Sequence, residues 1–392
     1  MNNPGDTSCG FQGILPKMPD KHPQDTQSDE LCCGPPPAPP SGSHEKPGYR
    51  IMNFVDGFIH TVKGPVPKIK PTLDIRDFIQ TGIVRTGYKR NNYKISPGLY
   101  AVGNPDRESV VLATANFKLT FDRLRKELGG INAWILVLDT RGINVWCAAG
   151  KGTFSTGELV RRIATTSLET VVNHKKVIVP QLGATGISAG EVKKRSGFRV
   201  IYGPIRASDI PLFLKNNQNA AKDMRLVTFT MYERFILTPV EIQIVLKHLL
   251  ITAIVLFVIS GIGPGIFSLS RAWERGIISI IALLAGVLSG AVITPVLLPY
   301  IPFKEFAAKG ILAGSVVIML SILFMPLAIA GFTGFTAVIL FSVAISSYLA
   351  MNFSGTTPFT SPSGVEKEMK RFIPVQLGGV LLSGFLWIYS AF

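Results

Sequence analysis

The sequence predicts an α/β, Rossmann-like parallel-sheet domain followed by an all-α domain of five membrane-spanning helices. Two patterns carry that prediction. Between residues 109 and 214, short continuous apolar runs alternate with amphipathic ones, as expected of a parallel sheet covered by helices on both faces. From 249 to 392 the chain holds five apolar runs, each close to the roughly 20 residues that a helix needs to cross a bilayer. Mean hydropathy is +0.33 over 392 residues, too apolar for an ordinary soluble protein of this size, and the excess comes from that second region.

Residues 1–48 read as a disordered, Pro-rich tail that ends in the extended stretch 34–43. Its thiols Cys9, Cys32 and Cys33 fit a solvated tail or the handling of soft metal ions. The first 30 residues are polar and broken by Pro, Asp and Gly, so no cleavable signal peptide is expected. Four cysteines, two of them adjacent, make no disulfide framework and point to a reducing compartment.

The α/β domain is expected over 49–235. Its first part, to about 107, is mixed and basic and suggests no architecture. Beyond it the pattern gives strands at 110–114, 134–138, 176–179 and 198–202, with helices at 121–128, 156–165, 189–195 and 209–214. An amphipathic connecting helix follows at 236–248. The spans are then placed at 249–268, 277–298, 311–330, 332–351 and 373–392.

Asp is absent from the apolar region, and Arg271, Glu274, Arg275, Lys304, Glu305, Lys309, Glu366, Lys367, Glu368, Lys370 and Arg371 are all expected in connections. Spans without fixed charge argue for an anchor or passive scaffold over an ion-coupled transporter. A neutral-substrate path through the breaks at Gly263-Pro264-Gly265 and Thr294-Pro295 is the weaker reading. The Lys and Arg bias of the short loops puts the N-terminal domain on the cytoplasmic side of a multi-pass inner (cytoplasmic) membrane protein. The net charge of +15 is concentrated in 46–245. Membrane lipid, an anionic cofactor or an acidic protein fits that excess, whereas no nucleic acid is expected, because zinc-finger spacing, a recognition helix and RNA-binding aromatics are all missing.

The chemistry centres on Cys147, the one cysteine outside the tail, in Asn144-Val145-Trp146-Cys147-Ala148-Ala149-Gly150-Lys151. It follows a strand-like run at the ligand-binding edge of an α/β sheet, where a thiol can serve as ligand or nucleophile. Gly150-Lys151-Gly152-Thr153 is not a phosphate loop: Val145 stands where the leading Gly is required, and Gly152 where Ser or Thr must follow the Lys. A Cys–His couple stays open, although His60 and His174 lie at none of the expected strand ends. A lone thiolate cannot close a tetrahedral zinc site, but it can be the axial ligand of a metal already held by a macrocycle. Thr114 and Thr120, following a strand end and opening a helix, read as capping residues. Taken alone, Trp146 reads as core and Lys151 as a solvated charge.

The octet resembles the cap-helix motif of the mercury-methylating corrinoid proteins, whose soluble domain is similar to the corrinoid-binding domain of the corrinoid iron-sulfur protein large subunit. The resemblance covers roughly 95–226 and extends to the order of soluble domain then five spans; the Pro-rich extension departs from it. It implies a corrinoid (cobalamin, cobalt) cofactor with Cys147, in place of a Thr, as axial ligand to cobalt. Asn144, Val145, Trp146, Ala148, Ala149, Gly150 and Lys151 are then expected to shape the cap. Thr114, Thr120, Gln181, Gly183 and Gly203 are expected to contact the corrinoid.

The implied activity is a corrinoid-dependent methyltransferase acting on Hg(II), since a strongly donating thiolate favours departure of the methyl group with its electron pair. A folate-type methyl donor and a ferredoxin-like iron-sulfur electron donor complete the expected set. Two alternatives compete: a membrane-anchored corrinoid methyl carrier of one-carbon metabolism with another acceptor, and a transporter with a cytoplasmic sensor domain.

Overall fold

A computed structural model of the chain describes residues 39–42, 45–324, 327–355, 357, 359–360 and 362–392. Most of the expected tail, with Cys9, Cys32 and Cys33, lies outside the described residues.

A hairpin opens the fold: β1 (Val55–Thr61) pairs antiparallel with β2 (Gly64–Ile69). Helix α1 (Ile75–Arg85) follows, closed by a reciprocal cap between Asp74 and Asp77, and β3 (Gly98–Val102) runs parallel to β2. The alternating part comprises β4 (Val110–Ala115), α2 (Lys118–Lys126), β5 (Ala133–Leu138), α3 (Val145–Gly150), α4 (Thr156–Thr165), α5 (Leu168–Val171), β6 (Lys176–Val179), α6 (Ala189–Ser196), β7 (Arg199–Tyr202) and α7 (Ile210–Lys215).

All seven of these strands form one sheet in the order β1-β2-β3-β5-β4-β6-β7. Strands β4 to β7 are mutually parallel, as the alternation predicts, while β3 is antiparallel to β5. The sheet is therefore mixed, not purely parallel. The basic stretch without an expected architecture supplies its antiparallel wing.

Both faces of the central strands are covered, which explains their unbroken apolar sequence. Trp134, Leu136 and Leu138 of β5 pack with α3, α4 and α6, whereas Ala133, Ile135 and Val137 pack with α2 and α7. Successive residues of a strand point to opposite faces, so neither set is left exposed.

Helix α8 (Met231–Ser260) joins the expected connecting helix and first span into one element, with Pro239 inside it. It ends at Ser260, not at 268; residues 262–267 turn back as the short hairpin β8 (Ile262–Gly263) and β9 (Ile266–Phe267). Helix α9 (Leu269–Val287) continues through a π-helical turn, Leu288–Ile293, into α10 (Thr294–Val296). Then come α11 (Phe306–Ile322), α12 (Leu327–Ser354), which is interrupted at non-helical Gly331, and α13 (Pro362–Tyr389).

Four of these segments, Met231–Ser260, Leu269–Val296, Gly331–Ser354 and Ser363–Tyr389, are long and apolar enough to cross a membrane; Phe306–Ile322 is apolar but shorter. The charges expected in connections lie partly on the helices themselves. Arg275 sits buried on α9, donating to the Trp387 carbonyl and to Ser390 Oγ, and Lys309 sits buried on α11, donating to the carbonyls of Leu298 and Ile301. Sequence hydropathy misses such residues because backbone carbonyls at helix ends accept a cation that the apolar count penalises.

Candidate functional site

The connection from β4 passes through α2 to β5 on one side, and the chain then crosses back over β4 to β6 and continues to β7 on the other. Neighbouring strands β4 and β6 thus form the topological switch point, where open α/β sheets bind ligands beyond the carboxyl ends of their strands. Helix α3 lies there, packed on the 3₁₀ turn Gln181–Gly183 after β6 and on β4.

Its short sequence explains its pose. Asn144 is the N-cap, and its Oδ1 accepts the Cys147 backbone N–H at 2.9 Å. Val145, Ala148 and Ala149 occupy one face and are buried in the core, while Trp146 and Gly150 are exposed and Cys147 is half-buried. At spacings of three and four residues the helix thus has an inner apolar face and an outer face that carries the thiol. Trp146 is 42% exposed, so the reading of it as a core residue is corrected.

The loop before α3 is held by a side chain that the sequence did not single out as functional. Asn116, fully buried just beyond β4, accepts at Oδ1 from the N–H groups of Thr140 and Gly142 and from Thr140 Oγ1, and donates from Nδ2 to Asp139. Asp139 in turn accepts the Ser41 N–H at 2.7 Å, so residues expected in the tail reach this edge. Glu158 accepts the Asp139 N–H and pairs with Arg162. A polar residue directly after a buried strand was the available sequence signal.

A second missed residue is Arg90. It lies in the basic stretch before β3, and its guanidinium carbon stands 5.1 Å from the centre of the Phe117 ring. Burial pushes its pKa below the usual guanidinium value, and the nearby Cys147 works in the opposite direction. Arg90 thus lies within electrostatic reach of Cys147.

The other expected contacts are more scattered. Thr114 is buried inside β4, opposite Val137 of β5, on the face that α2 covers. Thr120 lies within α2, whose N-cap position is Phe117, so neither threonine caps that helix. Gln181 accepts a hydrogen bond from Arg225. Gly183 and Gly203 are small for the protein's own packing: a Cβ on Gly183 would stand 2.4 Å from the Phe154 ring, and one on Gly203 3.0 Å from Ile178. Lys151 is the half-buried C-cap of α3.

The arrangement fits a macrocycle-bound metal better than a bare ion. Among the described residues no group of three or more His, Cys, Asp or Glu side chains could hold a metal ion by itself. A Cβ on Gly150 or Gly152 would meet nothing within 4 Å, so the outer side of the cap is open. One sulfur on an open, rigidly capped face is a donor set suited to an ion whose other positions are filled in advance. His60 and His174 lie in β1 and just before β6, and His174 Nε2 is 2.9 Å from the Ser109 carbonyl at the opposite end of β4. That position leaves His174 with no part in a Cys–His couple.

Comparison with known proteins agrees with this class of site. Residues 67–214 match the family described as CO dehydrogenase/acetyl-CoA synthase delta subunit, a segment running from β2 to α7. The acetyl-CoA decarbonylase/synthase complex subunit gamma of Archaeoglobus fulgidus is 31% identical over 151 residues, covering 38% of this chain and 30% of that protein. The corresponding subunit of Methanopyrus kandleri is 36% identical over 129 residues, 32% and 27% of the two chains. That of Methanothermobacter thermautotrophicus is 33% identical over 166 residues, 42% and 34%. The chain thus spans about a third of the length of these relatives.

These matches overturn one expectation. The relatives are subunits of an acetyl-CoA decarbonylase/synthase complex, so the resemblance to mercury-methylating proteins, the mercury methyltransferase activity and Hg(II) as substrate are withdrawn. The corrinoid cofactor is in keeping with the matched family.

Proposed function

We propose that this protein is a membrane-anchored corrinoid methyl carrier of one-carbon metabolism. The observation that carries the reading is the position of Cys147, held by the Asn144 cap on the open side of α3 at the switch point, inside the segment matched by the acetyl-CoA synthase family. A bound corrinoid supplies a cobalt that accepts and releases a methyl group. Cys147 would hold that cobalt through its sulfur. Ala148 and Ala149 keep the cap low on the sheet, Trp146 and Gly150 border the open face, and Arg90 places a positive charge within electrostatic reach of the sulfur. Asn116 fixes the loop that aims α3.

The exchange partners proposed with this reading are a folate-type methyl donor and a ferredoxin-like iron-sulfur protein that restores the reduced state. The apolar helices are proposed to span the cytoplasmic membrane, with the α/β domain on the cytoplasmic side. What supports this is the length and composition of four of them and the Lys and Arg bias of the connections and adjoining helix ends.

The test is reconstitution of the purified full chain with cobalamin. One cobalt per chain and a visible spectrum characteristic of sulfur ligation are expected, and Cys147→Ala is expected to abolish the sulfur signature. An unchanged spectrum in that variant would remove axial ligation, and absence of stoichiometric cobalt would remove the corrinoid reading altogether.

A further inference from the structure

Helix α1 is built inside out. Ile75, Phe78, Ile79 and Ile83 recur at the spacing of a single helix face, and all four are exposed, at 75%, 59%, 57% and 45%. The face turned to the protein carries a charge: Asp77, buried on the same face as Val84, bonds to Lys118 and Arg125 of α2. A helix that buries its carboxylate and shows solvent a row of Ile and Phe has an unpartnered apolar stripe.

Position identifies what covers the stripe. The turn after α1 lies against α8, where a Cβ on Gly87 would stand 2.8 Å from Gln243. Helix α8 ends at Ser260, and about 20 helical residues traverse a bilayer core, which brings its other boundary back to the neighbourhood of Glu241. Gln243 is therefore at the level of the membrane surface, and α1 meets α8 there. Beyond that level the outward side chains of α8 include Ile244, then Lys247 and His248, whose polar ends can reach back to the headgroups, and then Leu250, Ile251 and Ile254. The charge leans the same way: Arg76 and Lys89 are exposed around the stripe against one exposed carboxylate, the N-cap Asp74, whereas Asp77 is consumed internally.

From this continuity we infer that α1 is an interfacial helix. Its stripe of Ile75, Phe78, Ile79 and Ile83 inserts into the headgroup boundary of an anionic bilayer beside the first span. The docking rests on the proposal that α8 spans the membrane. It adds a second attachment, on the wing of the sheet that also carries Arg90, and so fixes how the Cys147 edge stands relative to the lipid.

The experiment uses the full chain in nanodiscs of phosphatidylglycerol and phosphatidylcholine whose acyl chains are brominated near the headgroup. Tryptophan is introduced separately as Phe78→Trp, Ile79→Trp, Gln80→Trp and Ile254→Trp, and quenching is read against the parent protein. Strong quenching at 78 and 79, little at 80, and a weaker effect when phosphatidylglycerol is left out are expected. Unquenched tryptophan at both 78 and 79 overturns the docking, and if 254 is quenched at the same time the spanning reading stands without it. Failure at 254 removes the span instead. Cross-linking of two chains through position 78, without lipid quenching, assigns the stripe to a second copy and also overturns the proposal.

Discussion

Two short helices, α1 and α3, are moored to different residues of the short segment beyond β4 and obey opposite rules. Asn116 holds the loop that leads into α3, and Lys118 holds α1 through Asp77. Helix α3 buries Val145, Ala148 and Ala149 and displays a thiol beside Trp146, whereas α1 buries a carboxylate together with Val84 and displays its isoleucines. The difference shows what each mooring is for. An apolar inner face places α3 by packing, so its outer side is available for chemistry. Paired charges beside Val84 place α1, so its outer apolar side is available for the proposed lipid contact.

Breaking the ionic mooring has the largest expected effect. Arg125 is completely buried, donates to Asp77, Asp122 and the carbonyls of Lys70 and Thr72, and shares both carboxylates with Lys118. Two cations thus offset two buried carboxylates. Burial alone would push the Asp77 carboxyl up, but the bond and charge of Lys118, with the Asp74 N–H and Arg125, hold it below the usual range. Arg125→Ala leaves these carboxylates undercompensated and is expected to cost about 3–5 kcal/mol. Amide hydrogen exchange of the α1 and α2 peptides in the full chain measures it, and a loss confined to α2 would show that α1 is not held this way.

The mooring of α3 comes next. Asn116→Ala strips a buried acceptor from two backbone N–H groups and a hydroxyl, with an expected cost of about 2–3 kcal/mol, read from exchange in the segment 139–154. Unchanged protection there would mean that packing by Val145 and Ala148 alone positions the cap.

The parallel strands were legible in the sequence because they depend on local rules, whereas helix α3 was expected only through the family resemblance. Continuous apolar runs ending in Gly, Thr or Asn mark central strands and their ligand edge, and the strand Lys176–Val179 falls where the pattern puts it. The antiparallel wing was not legible, because β1 and β2 are half-exposed strands and α1 shows the wrong face for its pattern. Arg90 was hidden for the same reason, since only the fold of that wing brings it near Cys147. Gly183 and Gly203 were visible as strand-end glycines, but sequence cannot separate a glycine that admits a ligand from one that admits Phe154 or Ile178.

Removing the cap of α3 is a smaller perturbation. Asn144→Ala deletes the acceptor of the Cys147 N–H and is expected to cost about 1 kcal/mol, because a helix of six residues has little else at its N-terminus. The more telling readout is spectroscopic. If the cap fixes the sulfur, cobalamin bound to this variant shows a mixture of sulfur-ligated and other forms, whereas a wild-type spectrum would mean that the core-facing residues suffice.

The smallest effect is expected from Phe78→Ser on α1. Its ring is 59% exposed, so the substitution removes little that the folded chain buries, and exchange protection of α1 and α2 in detergent-solubilised protein is expected to stay within about 0.5 kcal/mol of the parent. That near-null result gives the comparison its force. A large apolar residue whose loss leaves the fold intact is held in place for a contact outside the chain, and a substantial loss of protection would instead return the stripe to the protein's own core.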